Sequence, residues 1–280
     1  MNNIIIPNPR ELKEKEKAIL YGGKDKLHVI SDFDRTLTKA FVNGEKFPSI
    51  ISILRAENYL TPDYSEKSYA LKNQYSPIEI DNTIPLDEKK KSMYEWWTNH
   101  FNLLIESKLN IKDIQKVVES KKIQLRGKCS DLLKILNNKK IPLVIMSASG
   151  LGTDSIKLFL EKEKEFYSNI QIISNGFKWD GEGYAIGIKK PIIHVFNKDE
   201  ASIPKQIHDK IKNRKNVILL GDSLGDLGMI SGFDYDNLIK IGFLNEDAEK
   251  DLEEYKKNYD VVILNDGDMS YVNKLIKKIN

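Results

Sequence analysis

The stretch Leu27-His28-Val29-Ile30-Ser31-Asp32-Phe33-Asp34-Arg35-Thr36-Leu37-Thr38 joins an apolar run to two acids. Its first five residues favour a buried strand, because β-branched and aliphatic side chains suit a covered, pleated sheet. Alternation along the chain puts Asp32 and Asp34 on one side and turns Phe33 into packing. Ligands of open α/β sheets bind at the carboxyl ends of strands, so a catalytic carboxylate pair is expected here. Taken alone, this Asp-x-Asp pattern also suits a solvated acidic turn.

Composition indicates a folded protein with little net charge. Of its 280 residues 40% are hydrophobic, and 44 Lys and Arg against 41 Asp and Glu give a net charge of +3. This charge provides no drive towards a nucleic acid polymer or a membrane, and we expect neither as a partner. The single cysteine, Cys129, excludes an intramolecular disulfide and suits a buried thiol in a reducing compartment. With no signal-peptide pattern and no long apolar stretch, we expect a cytoplasmic protein. Its expected form is a monomer, although no sequence pattern indicates the oligomeric state.

Three later segments repeat the pattern of a buried run followed by polar residues. The strand predicted at 141–146 leads into Ser147-Ala148-Ser149-Gly150, a small hydroxyl loop that can present backbone N–H groups to a phosphate. Another apolar run ends at Lys198, which we place at a strand end. A third ends at Gly221-Asp222-Ser223-Leu224-Gly225-Asp226. A surface lysine and an acidic or calcium-binding turn remain the alternatives for the last two segments.

The pattern becomes helical in the middle of the chain. Residues 39–47 predict a β-hairpin around Asn43-Gly44, and 48–126 predict helices. Breaks in these helices are predicted at Pro62, Pro77 and Pro85. We therefore expect an α/β, Rossmann-like core, formed by 1–47 and 127–280, with a helical cap at 48–126 inserted into it.

Two places in the cap carry side chains that can contact a ligand. Trp97 recurs with other aromatic residues on one helix face, which is typical of a cap core. Trp96 and His100 fall on neighbouring faces. Glu79 lies among apolar residues. A buried carboxylate there would need a cation or a hydrogen-bond donor as its partner, whereas an exposed loop would need neither.

The four core segments together offer acids, a hydroxyl loop and a lysine. Several carboxylates beside a phosphate would repel it, since two unit charges ~4 Å apart cost several kcal/mol even at an effective dielectric of ~20. A divalent cation resolves this repulsion. Oxygen ligands without a His or Cys cluster favour Mg²⁺.

In this order, the segments resemble the four motifs of the haloacid dehalogenase superfamily of phosphohydrolases over nearly the whole chain. The resemblance implies that Asp32 attacks phosphorus to form an aspartyl phosphate, and that Asp34 protonates the leaving oxygen and later activates water. It implies a set of phosphate-binding residues: Ser147, Ala148 and Lys198. It also implies that Mg²⁺ is held by the Asp32 side chain, the Asp34 backbone carbonyl and Asp222, with Ser223 and Asp226 in support.

Several sequence segments indicate one family within this superfamily. They are 31–38, 75–81, Glu95-Trp96-Trp97-Thr98, 194–198, 219–226 and 240–245. These strings resemble the cytosolic 5'-nucleotidase III family, also called pyrimidine 5'-nucleotidase. The resemblance implies hydrolysis of nucleoside 5'-monophosphates, with Glu79 reading the base and Trp97 stacking on it.

The identity of the base depends on these two cap residues. A carboxylate at Glu79 can accept from the cytosine amino group or accept two hydrogen bonds from the guanine edge. Tryptophan stacks on a cationic 7-methylguanine better than tyrosine does. Family members with Tyr at this place resemble the pyrimidine type and those with Trp the 7-methylguanylate type. With Trp97, the resemblance implies that pyrimidine nucleotides such as CMP and UMP are accepted together with 7-methyl-GMP. His100 stands where relatives carry a small hydroxyl residue that contacts the nucleotide, and we assign it to the base or ribose. The loop at 147–154 is also longer than in relatives.

Two other functions remain open. A phosphoserine phosphatase, or another small-metabolite phosphatase of the same superfamily, would give Glu79 and Trp97 no role. A phosphate-binding regulator without turnover is disfavoured because both Asp32 and Asp34 are present.

Overall fold

The computed structural model describes residues 3–46, 49–57, 59–81, 83–198, 203–231 and 233–280. The predicted boundary between residues 47 and 48 lies outside the described residues, as does the end of the hairpin predicted at 39–47. The central strands are β1 (Ile4–Ile5), β2 (Leu27–Ser31), β5 (Leu143–Ser147), β6 (Ile170–Ser174), β9 (Asn216–Gly221), β10 (Asn237–Leu244) and β11 (Val261–Leu264). They form a seven-stranded sheet in the order β1-β11-β10-β9-β2-β5-β6.

The sheet is parallel apart from β1, which pairs antiparallel with β11. Its central strands are buried on both faces because their side chains alternate between two cores. In β2, Val29 packs into one hydrophobic cluster and Ile30 into another. Phe33, just beyond β2, is fully buried with its ring edge-on to Phe159 at 5.7 Å. The predicted α/β core is therefore confirmed.

Helices cover both faces of the sheet. They are α1 (Pro9–Gly22), α6 (Cys129–Asn138), α7 (Gly152–Lys162), α8 (Lys205–Ile211), α9 (Ala248–Asn258) and α10 (Ser270–Lys277). Cys129 is buried and free, and burial raises the pKa of its thiol to about 12, so it is a packing residue. Among the helices described, none has both the length and the apolarity needed to cross a membrane.

Four helices occupy the middle of the chain: α2 (Ile50–Ala56), α3 (Tyr64–Ile80), α4 (Leu86–Glu106) and α5 (Ile111–Glu119). The points at which the chain leaves the sheet region and returns to it are adjacent, since Thr38 forms a β-bridge with Leu125. The helical character predicted for this stretch is confirmed. The predicted break at Pro77 is wrong, because α3 continues through it to Ile80. Pro77 lacks only the bond that its own N–H would make to the Asn73 carbonyl, and the helix ends three residues later.

Two small hairpins flank the helical stretch. The first is β3 (Phe41–Val42) and β4 (Glu45–Lys46), joined through Asn43 and Gly44, whose φ angles of 53° and 82° suit the predicted tight turn. The second is β7 (Phe177–Trp179) and β8 (Ala185–Ile188). The first agrees with the hairpin predicted from the sequence.

The segment that carries Lys198 is not a strand, contrary to our prediction. The backbone N–H and C=O groups of this segment form hydrogen bonds with side chains and not with a neighbouring strand. Asn175 accepts from the Ile193 N–H and donates to the Ile193 carbonyl, at 2.8 and 2.9 Å. Asn197 likewise accepts from the His194 N–H and donates to the Ile192 carbonyl. These amide side chains fix an irregular segment that periodicity alone does not distinguish from a buried strand.

Candidate active site

A cavity of about 380 Å³ opens at the carboxyl ends of β9, β2 and β5, which are adjacent in the centre of the sheet. Every residue assigned to the site from sequence lines this cavity. From the core these are Asp32, Asp34, Ser147, Ala148, Lys198, Asp222, Ser223 and Asp226, and from the helical stretch they are Glu79, Trp97 and His100. Convergence at one sheet edge follows from the shared direction of the parallel strands.

Lys198 lies between two carboxylates at the floor of the cavity. Its Nζ donates to Oδ1 of Asp32 and to Oδ1 of Asp226, each at 2.6 Å, and all three side chains are buried. Burial acts to lower the pKa of Lys198, but the charges of Asp226 and Asp32 outweigh it, so its pKa lies above the usual value. The lysine is therefore a fixed cation that holds Asp32 in one orientation.

The turn after β9 is built around Asp226. Its Oδ2 accepts from the backbone N–H of Asp222 and of Ser223 and from the Ser223 hydroxyl, at 2.9–3.0 Å. Gly221 is required here, because a Cβ at this position would lie 2.5 Å from the Cβ of Asp226. With its other oxygen on Lys198, Asp226 supports the turn. The Asp222 side chain lines the cavity, where its Oδ2 lies 3.5 Å from Nε of Arg35.

Three carboxylates can share a cation. Ligand oxygens of Asp32, Asp222 and Asp226 lie within 4.8 Å of one another. Burial, followed by the charges of Asp226 and Asp32, raises the pKa of Asp222 well above its ordinary value. Burial also raises the pKa of Asp32 to about 6, against the lowering effect of Lys198. This cluster offers only oxygen ligands and so fits a hard divalent cation, which would favour the charged forms of Asp32 and Asp222.

Asp34 has the environment of a proton donor. Burial raises the pKa of its carboxyl to about 7, and the neighbouring Asp32 adds to the rise, while a hydrogen bond from the Ile50 backbone opposes it. Ile50 is the first residue of α2, so this bond links the Asp34 carboxyl to the helical stretch. A carboxyl group with a pKa near neutrality can both give and take a proton.

The loop between β5 and α7 forms another part of the cavity. Ser147 is the last residue of β5 and is buried, and Ala148 follows it. Gly150 is pressed against the helical stretch, since a Cβ there would lie 3.0 Å from His100 Nε2 and 3.1 Å from both Ile51 and Trp97. A small residue is therefore needed where this loop meets α2 and α4.

The helical side of the cavity carries a carboxylate and two indoles. Glu79 is half-buried, and burial raises its pKa while Lys89 acts to lower it. Trp97 packs on Phe101, with ring centroids 5.6 Å apart at 27°. Trp96 also lines the cavity, where it stacks against Trp97 at 6.1 Å. We predicted no role for Trp96, which we placed on a neighbouring face of the helix. Its position next to Trp97 in the sequence could have indicated that it lines the cavity.

His100 joins the two sides of the cavity. It is buried, and its Nε2 lies 3.1 Å from the Gly150 carbonyl, so the neutral ring donates a hydrogen bond to the core loop. Burial lowers the pKa of His100 to about 4. Its polar atom thus has a protein partner, and a contact with the nucleotide remains a prediction.

Sequence reasoning missed Arg126, which supports the loop after Asp34. Its buried guanidinium donates to the carbonyls of Thr36 and Arg35, to Asn245 and to Asp266, and lies 4.3 Å from the Phe243 ring centroid. These contacts join residues 90 or more positions apart in the chain. Because they depend on tertiary structure, no local pattern could have revealed them.

This architecture, a mostly parallel sheet with an acid pair after its central strand and an inserted helical stretch, defines a haloacid dehalogenase-like fold. The fold resembles that of a phosphoserine phosphatase captured as a phospho-aspartyl intermediate analogue, with a TM-score of 0.52 and 18% identity over 92% of this chain and 100% of that chain.

A sequence model described as pyrimidine 5'-nucleotidase (UMPH-1) matches residues 35–280. The 7-methylguanosine phosphate-specific 5'-nucleotidase of Homo sapiens is 36% identical over 99% of this chain and 92% of its own length. The crystal structure of cytosolic 5'-nucleotidase IIIB bound to cytidine has a TM-score of 0.87 and 27% identity, covering 99% of this chain and 94% of that one. The chain belongs to the pyrimidine 5'-nucleotidase family, and it is a 5'-nucleotidase, a phosphoric monoester hydrolase.

Proposed function

We propose that the enzyme is a Mg²⁺-dependent 5'-nucleotidase that hydrolyses CMP, UMP and 7-methyl-GMP through an aspartyl-phosphate intermediate. The observation that carries this proposal is the fixed contact between Asp32 and Lys198 in the same cavity as Glu79 and Trp97. A buried nucleophile and a base-binding set therefore share one space that holds a single nucleotide.

In the first step, an Asp32 carboxylate oxygen forms a bond to phosphorus as the bond from phosphorus to the 5' oxygen breaks. Asp34 gives its proton to that departing oxygen. Its pKa of about 7 supports this role, because it is then partly protonated near neutral pH. Lys198, Ser147 and the backbone at Ala148 hold the phosphoryl oxygens.

In the second step, water attacks the phosphorus of the aspartyl phosphate. Asp34, now ionised, accepts a proton from this water, and the bond from phosphorus to Asp32 breaks to release inorganic phosphate. The same carboxyl thus serves as acid and then as base.

We assign the cation to the carboxylates of Asp32 and Asp222 and to the backbone carbonyl of Asp34. When bound, Mg²⁺ supplies positive charge that offsets the charge of the phosphoryl group. Ser223 and Asp226 act in support, since both oxygens of Asp226 already accept hydrogen bonds from protein groups.

We propose that residues 48–126 form the specificity cap on a core formed by 1–47 and 127–280. Within the cap, Glu79 accepts hydrogen bonds from the amino edge of cytosine or guanine. Trp97 stacks on the base, and His100 contacts the base or ribose with its ring. Gly150 supports this arrangement, because a side chain at this position would press against both Trp97 and His100.

The test is phosphate release from CMP, UMP and 7-methyl-GMP, with Mg²⁺ and after its removal by a chelator. We expect turnover of at least one of these nucleotides, loss of turnover with the chelator, and recovery when Mg²⁺ is restored. Phosphoserine serves as the comparison substrate. Rapid cleavage of phosphoserine with no turnover of any nucleotide would contradict the substrate assignment.

A further inference from the structure

Arg55 is a buried cation at the edge of the active-site cavity that the proposed mechanism does not use. It lies in the last full turn of α2 and is only 8% exposed. Its Nε donates to the Ser68 hydroxyl at 2.9 Å, and its guanidinium lies 5.9 Å from the Tyr69 ring centroid. Among the described residues, no carboxylate lies within ion-pair distance of it. The terminal nitrogens of this guanidinium are therefore available to a ligand.

A guanidinium buried without a counter-ion is unfavourable, and arginine does not escape the cost by losing its proton. Burial lowers the pKa of Arg55, and the groups that oppose this are the phenols of Tyr64 and Tyr69. Phenols stay neutral at physiological pH and do not compensate a full charge. The position therefore favours an anion from outside the chain.

A second cavity of about 380 Å³ adjoins the first and shares Ser52, Arg55 and Lys72 with it. Two other lysines line this second cavity, but each already has a carboxylate partner: Lys46 pairs with Glu246 and Lys122 with Glu57. Lys72 has no such partner among the described residues. The shared wall thus carries two uncompensated positive charges, one buried and one exposed.

The position of Arg55 separates it from the phosphoryl group that is transferred. The N–H of Ile50 donates to Asp34, and the backbone of Arg55 lies five residues further along α2, a rise of ~7.5 Å along the helix axis. The Arg55 guanidinium is held by Ser68 and Tyr69 of α3 and not by the loop that carries Asp34. An anion at Arg55 is therefore a second group of the substrate. An anionic group on the base would approach the Glu79 carboxylate and be repelled by it. An anionic group attached to the 5'-phosphate would approach the acids around Lys198. The ribose is therefore the remaining point of attachment for the second anionic group.

We propose that Arg55 and Lys72 form a subsite for a second phosphate carried on the ribose, so that the enzyme accepts nucleoside 2',5'- or 3',5'-bisphosphates. This inference rests on the proposed function, because it places the 5'-phosphate at Asp32. The chemical step is the same: the bond from phosphorus to the 5' oxygen breaks, Asp34 supplies the proton, and water releases the phosphate from Asp32. The products are inorganic phosphate and a nucleoside 2'- or 3'-monophosphate.

The test measures binding without turnover, in the full chain carrying Asp32→Asn and with Mg²⁺ present. Calorimetric titration compares CMP with cytidine 2',5'-bisphosphate and cytidine 3',5'-bisphosphate. We expect one of the two bisphosphates to bind at least about tenfold more tightly than CMP, because a charge-assisted bidentate contact is added. The preferred isomer identifies which ribose oxygen carries the phosphate.

Adding Arg55→Gln should abolish this preference, and adding Lys72→Gln should reduce it about threefold because the exposed lysine is screened by solvent. Lys67→Gln is the matched control: it removes the same charge from the same helix, and Lys67 lines neither cavity. This control should keep the full preference. If Arg55→Gln does not fold, Lys72→Gln and Arg55→Lys test the same ratio.

Equal binding of CMP and both bisphosphates would overturn the subsite. An equal loss of affinity for all three ligands in Arg55→Gln would also overturn it, since the arginine would then act on the nucleoside itself. Turnover of CMP by the unsubstituted enzyme separates this inference from the proposed function. Normal CMP turnover without a bisphosphate preference contradicts the subsite alone, whereas a preference that depends on Arg55 in an enzyme that cleaves no nucleotide contradicts the proposed function alone.

Discussion

The core side and the helical side of the cavity hold their charges in different ways. On the core side, Lys198 contacts two carboxylates at 2.6 Å, and Asp226 accepts three further hydrogen bonds. On the helical side, the carboxylate of Glu79 and the guanidinium of Arg55 have no ion-pair partner among the described residues. The core side is thus pre-organised by contacts within the protein, whereas the two groups to which we assign the base and a second phosphate lack a counter-charge from the protein.

The largest effect should come from Asp32→Asn, which removes the nucleophile from the pre-organised side. We expect phosphate release from CMP to fall at least about 10⁴-fold, as for the loss of a nucleophile in other hydrolases. Steady-state assays with Mg²⁺ measure this change. Asp131→Asn is the control, since Asp131 is exposed on α6. Retention of more than a tenth of the activity by Asp32→Asn would show that another group attacks phosphorus.

Lys198→Gln should follow, with a loss of about 10³-fold in kcat. The variant keeps a hydrogen-bond donor but removes the positive charge that orients Asp32 and meets the phosphoryl oxygens. The matched control is Lys212→Gln, whose lysine makes an exposed pair with Asp209. Similar losses in the two variants would mean that the effect is one of overall charge and not of position.

His100→Gln probes the contact between the two sides through stability. The pKa of His100 in the folded protein, about 4, lies below its unfolded value of about 6.5. The stability from keeping the ring neutral is therefore fully present above pH 6.5 and is lost as the pH falls towards 4. The unfolding free energy of the parent relative to His100→Gln should drop by about 3 kcal/mol between pH 7 and pH 4. Denaturant titrations across this range measure it, and a constant difference would contradict burial of a neutral ring.

The smallest effect should come from Glu79→Gln, on the helical side. A glutamine can donate to the uracil O4 atom as well as accept, so the ratio of kcat/KM for UMP over CMP should rise about tenfold. Parallel assays on the two nucleotides give this ratio. Equal losses on both would show that Glu79 supports the fold or the chemistry and does not read the base.

The difference between the two sides also explains what the sequence could predict. The strand ends at Asp32, Ser147 and Asp222 follow from local apolar runs and from the rule that parallel strands place their carboxyl ends together. The irregular segment before Lys198 was mistaken for a strand because its bonds to Asn175 come from a distant part of the chain. The environment of Arg55 could not be predicted for the same reason. The sequence around a single arginine in a helix indicates neither that its side chain is buried nor that it lacks an acidic partner.

The most direct test of the central claim is to find where the phosphoryl group resides during turnover. The enzyme is mixed with CMP and Mg²⁺, quenched in acid within milliseconds, digested and examined by mass spectrometry. The account predicts a phosphoryl group on the side chain of Asp32, absent when Asp32→Asn is treated in the same way. A phosphoryl group on any other residue, or product release with no phosphorylated Asp32 at any time, would contradict it.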